Sequence, residues 1–189
     1  QSLDLVVSNL SLHWVNDLPG AFTQIRRALK PDGLFLAAML GGETLNELGE
    51  ALRDAEIEIE GGLSPRLSPF AEIKDAGNLL GRAGFALPVA DTETITVSYG
   101  NPLKLMTDLR GMGETNSNMH RRTTFSRRAT LMRAAEIYAR KFMNDEGRMP
   151  ATFEIIYLTA WVPHESQQKP LSPGSGQVSL GNVFMDDAL

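Results

Sequence analysis

The stretch from Asp4 to Val15, DLVVSNLSLHWV, constrains this chain more than any other. Leu5, Val6 and Val7 form a short apolar run without alternation, the pattern of a strand buried on both faces. The chain turns polar at Ser8-Asn9. Asp17 and Pro19 stand where a helix would start, and Leu18, Phe22, Ile25 and Leu29 recur at helical spacing. Pro31-Asp32-Gly33 ends that helix, and Leu34 to Leu40 is a second apolar run without alternation. Strand, helix and strand in this order predict two parallel neighbours joined by a right-handed crossover. Ligands bind such sheets at the C-terminal ends of the strands. Ser8, Asn9 and Leu10 are therefore the candidate ligand-lining residues; the plainer alternative is that Ser8-Asn9 only caps a turn. Gly41-Gly42, at the end of the second strand, allows either close approach to a ligand or a simple turn.

The rest of the chain continues the α/β pattern. Thr44 to Ala55 reads as a helix with Leu45, Leu48 and Leu52 on one side, stopped by Gly61-Gly62. Ser68 as N-cap and Pro69 at the first position open a further helix lined by Phe70, Ile73, Gly77 and Leu80 and closed at Gly84. Ile95, Val97 and Tyr99 alternate with Thr94, Thr96 and Ser98, the period of a strand with one wetter face. Gly100 to Pro150 reads as a helical insertion, with Met106, Leu109 and Met112 expected to face inward and its arginines outward. Phe153 to Val162 is apolar on both faces and is expected as the last core strand, antiparallel beside Leu34–Leu40. The expected organisation is one α/β domain over residues 1–163, with a helical lid at 101–149 over the C-terminal strand ends, followed by a flexible tail at 164–189 rich in Ser, Pro, Gly and Gln.

The 189 residues carry 18 Lys and Arg against 23 Asp and Glu, for a net charge of -5. There is no cysteine, which excludes disulfide and thiol chemistry. No apolar run is long enough to span a bilayer. His13, His120 and His164 lack metal-ligand spacing, so no metal site is expected, and a lone residue such as His13 reads as a hydrogen-bonded structural histidine. Acid dominates up to Tyr99, whereas Arg110, Arg121, Arg122, Arg127, Arg128, Arg133 and Arg140 crowd the later part. That asymmetry fits either an acidic protein partner or a solvated helix face. Few aromatics interleave with the arginines, which argues against nucleic acid.

DLVVSNLSLHWV, the helix after it and KPDGLFLAAML together resemble the second half of a Rossmann-like S-adenosylmethionine-dependent methyltransferase, as does GRAGFALPVADTETITV. The resemblance implies a Rossmann-like sheet lacking its N-terminal strands, with S-adenosylmethionine as cofactor and Ser8, Asn9 and Leu10 packing near it. The Gly-rich loop and the ribose-binding acid of that family have no counterpart here and would lie before Gln1. The chain alone is therefore expected to bind the cofactor weakly and to be inactive. No catalytic residue can be named, because a sulfonium is already activated and methyl transfer asks mainly for positioning.

A narrower resemblance runs through nearly the whole chain: SNLSLHWVNDLPG, GGETLNEL, SPRLSPF, DLRGMGETN, PATFEIIY and WVPHESQQKPLSPGS. These are similar to the methyltransferase-like assembly factor of respiratory complex I, and less closely to the malonyl-carrier-protein methyltransferase of biotin synthesis. The first implies hydroxylation or methylation of an arginine in a complex I subunit, in the cytoplasm of a bacterium or the mitochondrial matrix of a eukaryote. The second implies O-methylation of a malonyl thioester. A non-catalytic chaperone that keeps the fold is the third reading. Within the lid, Arg110, Glu114 and Asn116 are the candidate substrate-binding residues; the alternative is that Gly111 and Gly113 shape a turn and Arg110 pairs with Asp108 or Glu114.

Overall fold

The computed structural model describes residues 1–169 and 174–176. One four-stranded sheet carries the fold, in the order β1 (Leu3–Asn9), β2 (Leu29–Leu40), β4 (Met149–Trp161), β3 (Ala86–Tyr99). β1 and β2 are parallel, with Val6 opposite Phe35 and Ser8 opposite Ala37. β4 runs antiparallel to both β2 and β3. The expected parallel pair and its antiparallel neighbour are thus both present. The Pro31-Asp32-Gly33 turn lies within β2, where the register with β1 slips between Leu3 and Leu5 and Asp32 takes a positive φ of 63°.

Among the described residues there are five α-helices, and local chemistry sets several of their ends. α1 (Leu18–Ala28) begins as its sequence directs: Asp17 Oδ1 accepts from the Gly20 amide at 2.9 Å, and Pro19 occupies the first turn. α2 (Asn46–Glu60) ends at Gly61, whose φ of 69° is the left-handed geometry that glycine adopts freely. α3 spans Ile73–Arg82, so its start lies later than Ser68. The Ser68 hydroxyl instead accepts from the Ser117 amide at 3.2 Å, and Ala71 bridges to Gly41, which holds the intervening backbone extended. In the lid, α4 (Pro102–Met112) is capped by the Asn101 side chain and α5 (Arg128–Phe142) follows.

Two apolar cores hold these elements. In the first, Phe35, Ala37 and Met39 of β2 and Ile156, Leu158 and Ala160 of β4 share one sheet face with Phe22 of α1 and Ala76 and Leu80 of α3. The Phe35 ring lies 5.7 Å from the rings of both Phe22 and Phe85. In the second, Leu48, Ala51, Leu52 and Ala55 of α2 pack on Ala134, Ile137 and Tyr138 of α5 and on Leu105 and Leu109 of α4, over Met149 and Ala151 at the start of β4. The opposite sheet face is covered only at this lid end. Leu5 and Val7, expected as buried on both sides, are 50% and 61% exposed, since their side chains lie on the face that α1 and α3 do not reach.

Part of the charge asymmetry is met within the chain. Arg133 pairs with Glu58, Lys141 with Glu50 and Asp54, and Arg122 with Glu60, joining the basic lid to the acidic α2. Arg66 is held between Glu56, at 2.7 Å, and Glu60, at 3.6 Å. Arg122 therefore does not face outward as expected. Of the expected tail, His164–Lys169 is described, and Gln167 Nε2 donates to Asp32 Oδ1 and to the Val162 carbonyl. Residues 170–173 and 177–189 lie outside the described residues.

Candidate functional site

The C-terminal ends of β1 and β2 meet the lid at a single place. β1 runs out through Ser8 and Asn9 into Leu10, whose φ of 47° is unusual for a branched side chain. The Leu10 amide still donates to the Ala38 carbonyl at 2.8 Å, so the turn is pinned to β2. Ser8 Oγ lies 2.9 Å from Ser11 Oγ, the contact expected of a turn-shaping residue. Ser8 and Asn9 also border an open depression of about 430 Å³ with Val7, Leu36, Ala38, Tyr157 and Thr159, on the uncovered sheet face.

Beside it, Leu10 lines a cleft of about 410 Å³ with Leu40, Ile95, Val97, Tyr99, Met112, Phe153, Ile155 and Glu114. Met112, expected to pack inward, is 58% exposed. It is the last residue of α4 and borders the open sheet face, while Leu105 and Leu109 make the inward contacts. Glu114 is the only charged residue of the cleft, and its Oε1 lies 3.3 Å from His13 Nε2. His13 stands in the short 3-10 turn Leu12–Trp14 after β1. Behind the pair, a cavity of about 30 Å³ is lined by His13, Trp14, Phe70, Leu109, Thr115 and Asn116, among others.

The candidate residues thus fall into three groups. Ser8, Asn9 and Leu10 lie together at the end of β1, beside the cleft. Glu114 and Asn116 come together next to His13, with Asn116 Nδ2 also donating to the Pro65 carbonyl at 2.7 Å. Arg110 stands apart: it is exposed on α4 and lines neither cavity. It pairs with neither Asp108, which Lys104 holds at 2.6 Å, nor Glu114, which His13 holds. Gly41 and Gly42 serve a packing role. A Cβ at either position would run into a carboxylate, that of Glu154 at Gly41 and that of Glu72 at Gly42. His13 is the participant that sequence reasoning placed as structural only. Its contact with Glu114 spans 101 residues, which no local pattern reports. Among the described residues no cluster of His, Cys, Asp or Glu could hold a metal ion, and no helix is long and apolar enough to cross a membrane.

The profile of a family described as a methyltransferase domain matches residues 1–37, which is β1, α1 and most of β2. In solved structures, the fold is similar to a Bacillus halodurans protein described as a candidate methyltransferase, with a TM-score of 0.50 and 14% identity over 87% of this chain and 73% of that one. It is also similar to the YcgJ protein of Bacillus subtilis, with a TM-score of 0.50 and 13% identity over 86% of this chain and 65% of that one. Among curated proteins, the chain is 53% identical to the mitochondrial arginine-hydroxylase NDUFAF5 of Dictyostelium discoideum over 97% of its length and 42% of the relative. The human protein of that name is 50% identical over 96% of this chain and 52% of the relative. A malonyl-[acyl-carrier protein] O-methyltransferase of Xylella fastidiosa is 37% identical over 86% of this chain and 52% of the relative. The chain spans about half the length of the curated relatives it matches. Over that span the chain has a methyltransferase-like fold and is similar to proteins named NDUFAF5 arginine-hydroxylases and, at lower identity, to malonyl-[acyl-carrier protein] O-methyltransferases.

Proposed function

We propose that this chain forms the substrate-side part of an S-adenosylmethionine-dependent, methyltransferase-fold enzyme that modifies an arginine of a protein, with a respiratory complex I subunit as partner. The observation that carries the reading is Glu114, the single charged group in an otherwise apolar cleft at the C-terminal strand ends. A carboxylate there suits a cationic side chain. It opposes the anionic malonyl group, which counts against the carrier-protein methyltransferase. The higher identity to proteins named arginine-hydroxylases, 50–53% against 37%, points the same way. Relatives of that name are called mitochondrial, which supports a mitochondrial setting for the proposed reaction in a eukaryote; in a bacterium the proposed setting is the cytoplasm.

The residues at the end of β1 suit one wall of a cofactor site. Asn9 is exposed beside an open depression, and Leu10 turns the backbone toward the cleft. Ser8, Asn9 and Leu10 would therefore line the cofactor on its sheet side. S-adenosylmethionine, when bound, supplies an activated methyl group on a positive sulfonium. This chain's own residues bind and orient the substrate: Glu114 takes the cationic head, Asn116 fixes the backbone behind it, and Arg110 offers an outward charge to the substrate protein. Met112 and Phe153 shield the cleft from water.

Methylation and hydroxylation leave different products. Methylation adds one methylene and releases a proton. Hydroxylation turns C–H into C–OH, takes one oxygen atom from dioxygen and needs a two-electron donor. The test is mass spectrometry of an arginine-containing protein substrate after incubation with the enzyme, S-adenosylmethionine and, separately, a reductant in air. A gain of one oxygen on arginine is the expected result. A parallel incubation supplies a malonyl-carrier-protein thioester with S-adenosylmethionine; an unmodified arginine together with a methylated malonyl thioester would overturn the reading.

A further inference from the structure

His13 is almost completely buried, with a side-chain exposure of 2%. Its ring packs on Trp14 and Phe70, with centroids 5.5 Å and 6.0 Å away. A carboxylate only accepts hydrogen bonds, so the 3.3 Å contact to Glu114 puts an imidazole proton on Nε2. Nδ1 is buried and has no hydrogen-bond partner among the described residues. An unpaired buried nitrogen is costly, so packing alone does not account for histidine here. A phenylalanine would fill the same aromatic slot without that cost.

Glu114 supplies the other half of the account. Its Oε1 is engaged by His13, and its Oε2 has no hydrogen bond among the described residues. Of the residues that line the space around His13, Glu114 is the only other titratable one. The imidazole thus fixes one oxygen of a carboxylate that would otherwise turn freely at the edge of the lid.

We propose that Glu114, aimed by His13, is the group that selects a guanidinium side chain in the apolar cleft, and that His13 is a positioning residue for it. The inference rests on the reading that substrate enters over Glu114. The aliphatic stem of an arginine would lie along Leu10, Ile95, Val97 and Phe153, and its head would reach the carboxylate. A guanidinium offers five N–H donors in a planar fork, which pairs with a carboxylate better than a round ammonium does. Neutral side chains of the same length gain no charge-assisted bond.

The test titrates the chain with N-acetyl-arginine amide, its neutral analogue N-acetyl-citrulline amide and N-acetyl-glutamate amide, followed by NMR shifts of the residues lining the cleft. The arginine probe should bind at about 1 mM or tighter, and the other two at least about tenfold more weakly. Glu114→Gln should erase that preference. His13→Phe, which keeps the aromatic packing, should weaken arginine binding by about fivefold to tenfold with an unchanged melting temperature. His13→Gln keeps an N–H for Glu114 and should restore most of the affinity, which a purely packing role would not. Equal binding of the arginine and citrulline probes, no binding of any probe, or an unaltered preference in Glu114→Gln would each overturn the proposal. The modification assay above fails independently: arginine binding without a modified product would refute the proposed reaction and leave this selection intact.

Discussion

The two faces of the sheet are built from equally apolar strands and end in opposite states. On one face, Val6, Phe35, Ala37, Met39, Ile156, Leu158 and Ala160 lie under α1 and α3. On the other, Leu3, Leu5, Val7, Tyr157, Val89, Ile95 and Val97 are largely open, while Leu40 at the end of β2 and Met149 and Ala151 at the start of β4 are buried. Neighbouring residues of one strand, such as Val6 and Val7, therefore contribute very differently. The lesson is that stability here follows coverage and not composition. The cleft lies at the border between the sealed and the open parts of this second face, so it has one wall of lid and one of bare sheet.

The largest expected break in the comparison comes from the covered face. Phe35→Ala should cost about 3–5 kcal/mol in urea unfolding, since its ring is 0% exposed and touches two other aromatic rings. A loss below about 1 kcal/mol would mean that this face is not the core.

A smaller effect should appear at the lid, where charge adds to apolar contact. Burial pushes the Glu56 carboxyl up, but hydrogen bonds from Ser64 and Arg66 outweigh it and hold the group below the usual glutamate range. Glu56→Ala leaves the Arg66 guanidinium buried without its nearest partner and should cost about 3 kcal/mol. Because the folded-state value is lowered, this contribution is complete above the ordinary glutamate pKa of about 4.3 and fades as pH falls through the folded value. Wild type should thus lose stability in acid faster than Glu56→Gln. Parallel acid profiles for the two would show that the charge of Glu56 does not hold Arg66 and the loop after α2.

The smallest effect belongs to the open face. Leu5→Ser or Val7→Thr should change stability by no more than about 0.5 kcal/mol while lowering the chain's tendency to self-associate in light scattering. A cost above about 2 kcal/mol would show that this face is covered in solution.

The crossover unit was legible because its signals are local. Asp17 and Pro19 start α1 where expected, and the apolar runs at Leu5–Val7 and Leu34–Leu40 lie in the two parallel strands. What escaped is what only tertiary structure decides. A run such as LVV reports hydrophobicity on both sides of a strand, not whether anything lies on each side. Ser68 and Pro69 have the chemistry of a helix start, but their segment is drawn out by contacts to Ser117 and Gly41. The arginine-rich lid suggested an acidic partner, and α2 of the same chain takes up two of those arginines, Arg122 and Arg133, together with Lys141. The position of Ser8, Asn9 and Leu10 at the end of β1 was readable because a strand end is a local feature; their part in a cofactor site is the proposal made above. The coupling of Glu114 to His13 was not readable, because it joins two loops far apart in sequence.

β3 ends at Tyr99 and β4 begins at Met149, and these two residues are partners in the sheet register. Everything between them, from Gly100 to Arg148, leaves and re-enters across one rung of an antiparallel pair. In connectivity terms the lid is an elaborated hairpin loop. Lengthening such a loop adds only a slowly growing closure entropy and does not disturb the strand pairing beneath it. The pairing of β1 with β2, where the proposed cofactor wall lies, does not run through this segment. The lid also contributes Met112 and Glu114 to the cleft. Under the proposed function, this connectivity puts the substrate-facing residues on one hairpin insertion and the cofactor wall on another part of the sheet.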